Sequence, residues 1–369
     1  MPVYLDYNAT APVRPEAAQA VADALQEVGN ASSVHRFGRG ARRRVEDARE
    51  AVAALIGCKP STLVFTSGGT EANNMALRGS RAERLLVSAG EHDSVLRVPG
   101  AEPVPLRPDG RIDLDALATA LAADPRPALV SVMLANNETG TIQPVAEVVE
   151  VARRHGARVH CDAVQAPGKI AVDAAALGVD LMTLSAHKLG GPQGAGALAI
   201  LDDGPLAGLL TGGGQERGFR AGTENVAAIA GFGAAAERAR AELDRMREFG
   251  RWRDRLEAEA RAFGPAVRVH GADAPRLPNT SCLGLAGVRA ETQVMALDLD
   301  GVAVSSGSAC SSGKVHPSHV LRAMGLGEDA AGSAVRVSLG WASAAGDVDR
   351  FLESWGRLAR RHAPADSAA

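Results

Sequence analysis

Residues 128–163, ALVSVMLANNETGTIQPVAEVVEVARRHGARVHCDA, hold one repeat of the pattern that decides the fold. A β-rich run from Ala128 to Leu134 passes through a polar loop into a helical pattern at 144–155, which opens on Pro144 near the position where a missing N–H costs nothing. A second β-rich run, Ala157 to Cys161, closes the unit. The alternation extends in both directions: Leu63-Val64-Phe65 and Arg84 to Ser88 come before it, Leu181 to Ser185 and Ala195 to Leu201 after it, with further helices at 70–80 and 113–123. Strands alternating with helices predict an α/β fold built on a mainly parallel, doubly covered sheet. Ligands to such a sheet gather at the carboxyl ends of its strands.

Beyond this region, the Ala/Glu/Arg-rich stretch from Thr223 to Phe263 has strong helix formers and few breakers, and predicts one or two long helices joining two domains. Strands follow at Ala266 to His270, Thr280 to Leu285, Val302 to Ser305 and Val335 to Leu339, between helices at 290–299, 317–324 and 346–362, which predicts a smaller α/β domain. A chain of 369 residues has room for both units. With 46% hydrophobic but only 3% aromatic residues, its core must be mostly Ala, Val and Leu.

The formal charge of -3 leaves no electrostatic footprint for direct binding of nucleic acid or of an anionic membrane. No run approaches eighteen uninterrupted apolar residues, so no spanning helix is expected. Cys58, Cys161, Cys282 and Cys310 lack the regular spacing of a disulfide framework, and MPVYLDYNAT has neither a basic nor an apolar leader region; the expected location is the cytoplasm. The Arg42-Arg43-Arg44 cluster, with Glu46, Asp47 and Glu50, reads as a solvated helix face.

Four stretches could carry chemistry. Thr66-Ser67-Gly68-Gly69-Thr70-Glu71 ends a strand in a glycine pair where the next helix should begin, so its backbone N–H groups either hold a phosphate or form a turn with Thr70 as cap. His160-Cys161-Asp162 ends another strand in a carboxylate suited to a buried cation or pyridinium, or to capping a turn; consecutive strand residues point to opposite faces and cannot all ligate one metal. In Ser185-Ala186-His187-Lys188-Leu189-Gly190-Gly191, one of only four lysines lies between a strand and a glycine-rich turn, where burial would make its amine nucleophilic. Lys59, Lys169 and Lys314 lie in turns or in a Ser/Gly run. The loop Ser305 to Gly313 (SSGSACSSG) carries Cys310 among small residues, as an exposed nucleophile would be carried. The spacing of Cys310, His316 and His319 lacks a fourth ligand, so no metal is expected.

Weaker signals are His92 and Asn136-Asn137 after strands, each equally readable as a cap or a turn, and Arg336 within a strand, where its stem could simply pack along the sheet. Gly212 to Asn225 (GGGQERGFRAGTEN) is too long for a simple turn and suggests a ligand or a partner subunit.

Together, a phosphate cradle, a carboxylate, an imine-forming lysine and a histidine at strand ends are the parts of a pyridoxal phosphate site. The chain resembles the cysteine desulfurases of the NifS/IscS type in the class V aminotransferase superfamily. The resemblance runs from Tyr4 to Pro12 (YLDYNATAP) to about residue 360, with SGGTEANN, NNETG, HCDAVQ, SAHK, GGGQERGFRAGTEN and SSGSAC in the family's order. It implies a fold-type I pyridoxal phosphate-dependent transferase. In that fold, residues 12–255 form a large domain on a mainly parallel seven-stranded sheet, and 1–11 with 256–369 form a small domain carrying the catalytic cysteine loop.

The resemblance makes Lys188 the Schiff-base lysine, Asp162 the partner of the ring nitrogen and His92 the imidazole stacked on the ring. Gly69, Thr70, Ser185 and His187 would hold the phosphate, Gln165 and Asn137 the ring hydroxyl and its surroundings. Thr223 would reach the cofactor phosphate of the neighbouring subunit in a homodimer. Arg336 matches the grip on the substrate carboxylate, with Asn8 or Asn137 assisting. The implied reaction converts L-cysteine to L-alanine: Cys310 attacks the substrate sulfur and keeps it as a persulfide, Lys188 moves the proton at Cα, and His92 serves the thiol protons.

The loop resembles the subfamily that hands sulfur directly to an acceptor protein. Gln193 and Gly69 depart from the lysine and alanine common at those positions. The tail APADSAA is short where the family docks its iron–sulfur scaffold, so a tRNA- or DNA-thiolation enzyme or a biosynthetic sulfur carrier is the alternative acceptor. The rival readings are selenocysteine lysis or another class V reaction, and a paralogue acting chiefly as the binding subunit of a sulfur-transfer complex.

Overall fold

The computed structural model describes residues 2–307 and 316–362. Within them the strands are β1 (Val3–Tyr4), β2 (Leu63–Thr66), β3 (Arg84–Ser88), β4 (Ala101–Val104), β5 (Ala128–Met133), β6 (Arg158–Asp162), β7 (Leu181–Ser185), β8 (Gly196–Ile200), β9 (Val267–His270), β10 (Thr280–Leu285), β11 (Val302–Ala303) and β12 (Ala334–Ser338).

Seven of them form one sheet in the order β2-β8-β7-β6-β5-β3-β4. Only β8 runs against its neighbours; the other six share one direction, so their carboxyl ends share one edge. Every residue of β3, β5 and β7 is buried, as strands covered on both faces require, and their Val/Leu/Met runs do not alternate with polar residues. The edge strand β4 escaped sequence reading because it is short and contains Pro103, which a strand paired on one side tolerates.

The stretch 223–263 is two helices, Val226–Ala241 and Met246–Arg261, separated by a short 3-10 turn at Leu243–Arg245. The first packs against the helices Pro15–Gln26 and Arg36–Leu55. Gly233 makes that approach possible: a Cβ there would lie 2.7 Å from Ala48 Cα. The second helix packs on β9 and β10 of the antiparallel sheet β12-β10-β9. Phe249, Phe351 and Trp355 fill the core beneath that sheet, while the core around the seven-stranded sheet is mainly Ala, Val and Leu.

Several expected boundaries move. The strand expected over Val302 to Ser305 pairs with β1 only at Val302 and Ala303, with Ser305 bridging back to Arg336. In place of a helix over 317–324 there is a shorter one, His319–Ala323, opened by the Ser318 side chain accepting from Leu321 N, and a separate turn of helix at Glu328–Ala331. Among the described residues, no helix is long and apolar enough to cross a membrane.

Candidate active site

The common edge of the parallel strands opens into a cavity of about 320 Å³. Of the residues singled out from sequence, Gly69, Thr70, His92, Asn137, Asp162, Gln165, Ser185, His187 and Lys188 line it from the strand ends. Asn8 enters from the N-terminal segment and Arg336 from β12. Thr223 does not: it is exposed and lines a separate cavity with Thr66 and Arg220. Cys310 lies outside the described residues.

After β2 the chain turns into the helix Gly69–Gly79, whose first-turn N–H groups have no carbonyl above them and face the cavity at Gly69 and Thr70. The helix begins one residue before Thr70, so Thr70 lies inside the first turn and is not its cap. A Cβ at 69 would come within 2.9 Å of Val164 Cγ2, so a larger residue there requires Val164 to shift. Ser185 and His187 border the same end. Burial and the neighbouring Lys188 push the imidazole of His187 down to about 4, so it is neutral at pH 7.

Asp162 ends β6. Its Oδ1 accepts from Val164 N at 3.0 Å and its Oδ2 from Asn73 Nδ2 at 2.7 Å, so the carboxylate caps a turn and also faces the cavity. A hydrogen-bonded chain continues from it: Asn73 Nδ2 also donates to Ser94 Oγ at 2.9 Å, and Ser94 Oγ lies 2.8 Å from His92 Nδ1. His92 Nδ1 also accepts from Ser94 N, which caps the helix Asp93–Leu96. With Nδ1 committed as an acceptor, the ring proton of neutral His92 belongs on Nε2.

Lys188 follows β7 and donates its Nζ to Asn8 O and Ala9 O, both at 2.6 Å. Burial first, then the charge of Arg336, bring this amine down to about 8, within reach of its nucleophilic form at neutral pH. Arg336 is 1% exposed. Its Nη2 donates to Asp6 Oδ1 at 2.6 Å and its Nη1 to Asn137 O at 3.1 Å, and its buried Nε has no partner among the described residues.

Three neighbouring groups escaped sequence reading. Lys169, taken for a turn residue, is buried, and its Nζ donates to Asn8 Oδ1 and Gln165 Oε1. Glu91 is fully buried beside the site, with Oε1 accepting from Met133 N at 2.6 Å; burial and the Asp162 charge raise its carboxyl well above the usual range. Glu138 accepts from Ser318 Oγ, and its Oε2 stands 2.6 Å from where a Cβ on Gly307 would be, so both flanks of 308–315 meet at one buried carboxyl. The one available signal was the scarcity of lysine; apart from Gln165, four residues before Lys169, the partners of these groups are remote in sequence.

The donor set fits pyridoxal phosphate. Helix N–H groups and Ser185 suit its phosphate, the Asp162 carboxylate its ring nitrogen, and the near-neutral Lys188 amine its aldehyde; the unpartnered Asn73 Oδ1 and Arg336 Nε mark polar walls.

The chain matches the family model described as aminotransferase class-V over residues 3–351. It is 45% identical to a protein of Cereibacter sphaeroides named cysteine desulfurase, over 95% of this chain and 94% of that one. It is 41% identical to a protein of Mycobacterium tuberculosis named IscS-like cysteine desulfurase, over 99% of this chain and 98% of that one. The crystal structure of a NifS-like protein from Rickettsia africae superposes with a TM-score of 0.91 at 32% identity, covering 97% of this chain and 99% of that one.

Proposed function

The chain belongs to the cysteine desulfurases of the class V aminotransferase family, enzymes that use pyridoxal phosphate to take sulfur from L-cysteine for an acceptor, and from that premise we propose how its own residues divide the work. The N–H groups of Gly69 and Thr70, with Ser185 and His187, hold the phosphate. Asp162 would pair with the ring nitrogen and keep it protonated, Gln165 and Asn137 would attend the ring hydroxyl, and His92 would supply the imidazole at the ring. The observation that carries this assignment is the convergence of the helix start, the Asp162 carboxylate and the Lys188 amine on one cavity.

When bound, the cofactor's ring accepts the electron pair released at the substrate's Cα. Lys188 would hold the cofactor's aldehyde, and its amine is the group that would take the proton from the substrate's Cα and return it in forming alanine. Its lowered proton affinity suits both roles. Arg336 binds the substrate carboxylate through its unpartnered edge, with Asn8 and Asn137 beside it. Cys310 attacks the substrate sulfur as a thiolate: the new S–S bond forms as the Cβ–S bond breaks, and the bonding pair stays on Cβ to be protonated. The transferred sulfur is oxidised by two electrons as Cβ, which becomes the methyl of alanine, is reduced by two, so no outside oxidant enters.

The protein works as a homodimer in which Thr223 reaches the cofactor phosphate across the interface, supported by its exposure away from its own chain's cavity. Residues 12–255 form the large domain, and 1–11 with 256–369 the small one, supported by the core under the antiparallel sheet, which joins Val3 and Leu5 to Val267 and Trp355 while also taking Met246 and Phe249 from before 255. The acceptor is an iron–sulfur scaffold or a thiolation enzyme of the cytoplasm.

The test is an absorbance spectrum of the purified protein, then cysteine addition with alanine and sulfide assayed, in parent and Cys310→Ala. A visible band that shifts with cysteine, and alanine formed only with Cys310 present, support the assignment. A colourless parent, or alanine made equally by Cys310→Ala, overturns it.

A further inference from the structure

Lys169 is 7% exposed and has an unusual pair of partners. Its Nζ donates to Asn8 Oδ1 at 2.8 Å and to Gln165 Oε1 at 2.5 Å. Both acceptors are side-chain amides of cavity-lining residues, and neither carries a charge. Burial, with Lys188 and Arg336 as the charged groups bearing on it, holds the amine well below the usual lysine range. The Nζ gives an N–H bond to each of the two amide oxygens.

The consequence lies in what is left of each amide. A glutamine amide can turn either its oxygen or its nitrogen toward a ligand, and nothing in its shape decides which. At Gln165 the oxygen is turned to Lys169 and Nε2 to the opposite side of the amide. One of its N–H bonds goes to Asn8 O at 2.9 Å and the other is available. At Asn8 the oxygen is tied in the same way, while Nδ2 donates to Thr280 Oγ1 at 2.9 Å and Asn137 O at 3.1 Å. The carbonyls of Asn8 and Ala9 are the ones that hold the Lys188 amine.

We propose that Lys169 is a positioning residue: it fixes the Gln165 amide so that an N–H, not a carbonyl, is turned to the ring oxygen of the cofactor, and it anchors the Asn8–Ala9 segment on which Lys188 rests. The inference depends on the placement of Gln165 against the ring oxygen given above. A donor at that oxygen favours its anionic form, whereas a carbonyl turned toward it would favour the hydroxyl. Lys169 therefore acts on the proton affinity of the bound chromophore without touching it.

The experiment is a pH titration of the visible absorbance of the holoenzyme, in parent, Lys169→Met, Gln165→Leu and the double variant. In Lys169→Met the midpoint is expected to rise by about one unit, a tenfold change in proton affinity. The double variant is expected to move no further than Gln165→Leu, because the lysine acts through the glutamine. The affinity of the apoprotein for pyridoxal phosphate, measured by fluorescence titration, should fall with the same non-additivity.

A parent without a pH-dependent visible band removes the cofactor placement and this inference with it. A parent with such a band, together with an unmoved midpoint in Lys169→Met or a shift that adds in full to that of Gln165→Leu, overturns the role of Lys169 and leaves the placement standing. If Lys169→Met does not fold, Lys169→Gln, whose amide can still donate to one of the two oxygens, is titrated the same way, with a smaller upward shift expected and an unchanged midpoint refuting. If neither variant folds, Lys169 is a packing residue and the inference falls.

Discussion

Before the cofactor is bound, Lys188 is a free amine brought from an ordinary value of 10.5 to about 8, by burial first and by the Arg336 charge second. The difference corresponds to roughly 3 kcal/mol against the charged form. Only the unprotonated amine can add to an aldehyde. At pH 8 about half of the Lys188 amines are in that form, against roughly 0.3% of ordinary lysines, an advantage on the order of 150-fold. The rate at which apoprotein takes up pyridoxal phosphate, followed as the growth of the visible band in a stopped-flow spectrometer, should carry this titration. From pH 7 to 8 it should rise about fivefold, and from pH 8 to 9 by less than about twofold. An unperturbed lysine would give about tenfold per pH unit with no plateau up to pH 9.5. That straight logarithmic rise would refute the reading that burial at the strand end activates Lys188. Arg336→Gln removes the second cause, so its midpoint should move to higher pH with the plateau retained.

Two further outcomes follow from buried groups near the site. Because the carboxyl of Glu91 is raised by burial and by Asp162, the unfolded chain releases a proton above the usual carboxylate value that the folded chain keeps, and stability is lost as pH rises through that window. Glu91→Gln, which copies the uncharged acid, should lie within about 1 kcal/mol of the parent at pH 4 and gain on it toward pH 7 in urea denaturation; a constant difference would count against the raised value. Arg49 binds both oxygens of Glu216 at 2.8 and 2.7 Å, inside a loop where Glu216 and Arg217 hold left-handed backbone angles. Arg49→Met strands the Glu216 carboxylate and should cost about 3–5 kcal/mol, most of it recovered in Arg49→Met/Glu216→Gln; a double variant as unstable as the single would show that the ion pair is not what holds the loop.

Most parts of the site that were legible in the sequence lie at the end of a strand or a few residues beyond it; Arg336, within β12, and Asn8, in the N-terminal segment, do not. Parallel strands end on one edge, so local reading at Gly69, His92, Asn137, Asp162 and Lys188 collects residues that meet in space. For His92 and Asp162 the alternative was a cap or a turn, and in the structure each caps and also lines the cavity. His92 caps Asp93–Leu96 while lining the cavity, and Asp162 caps Val164 N while facing it. A strand end leaves backbone N–H groups to be satisfied, and the side chain that satisfies them stands at the rim where a ligand binds. Capping and ligand binding are therefore not rival readings at such a position.

Illegibility begins where a residue's role is set by a partner elsewhere in the chain. Lys169 looks like any lysine after Pro167-Gly168 until Asn8 is laid against it, and Asp6 acquires its place beside the site through Arg336 of β12. Glu91 carries the same information in sequence as a surface acid beside His92; its full burial against Met133 N, with the Asp162 charge near it, raises its carboxyl well above the usual range. Local pattern therefore locates the groups that touch the ligand, while the groups that set their charge and orientation come from long-range packing. The second class holds Lys169, Glu91 and Asp6, and substitutions there should change proton affinities at the site before they change which ligand it accepts.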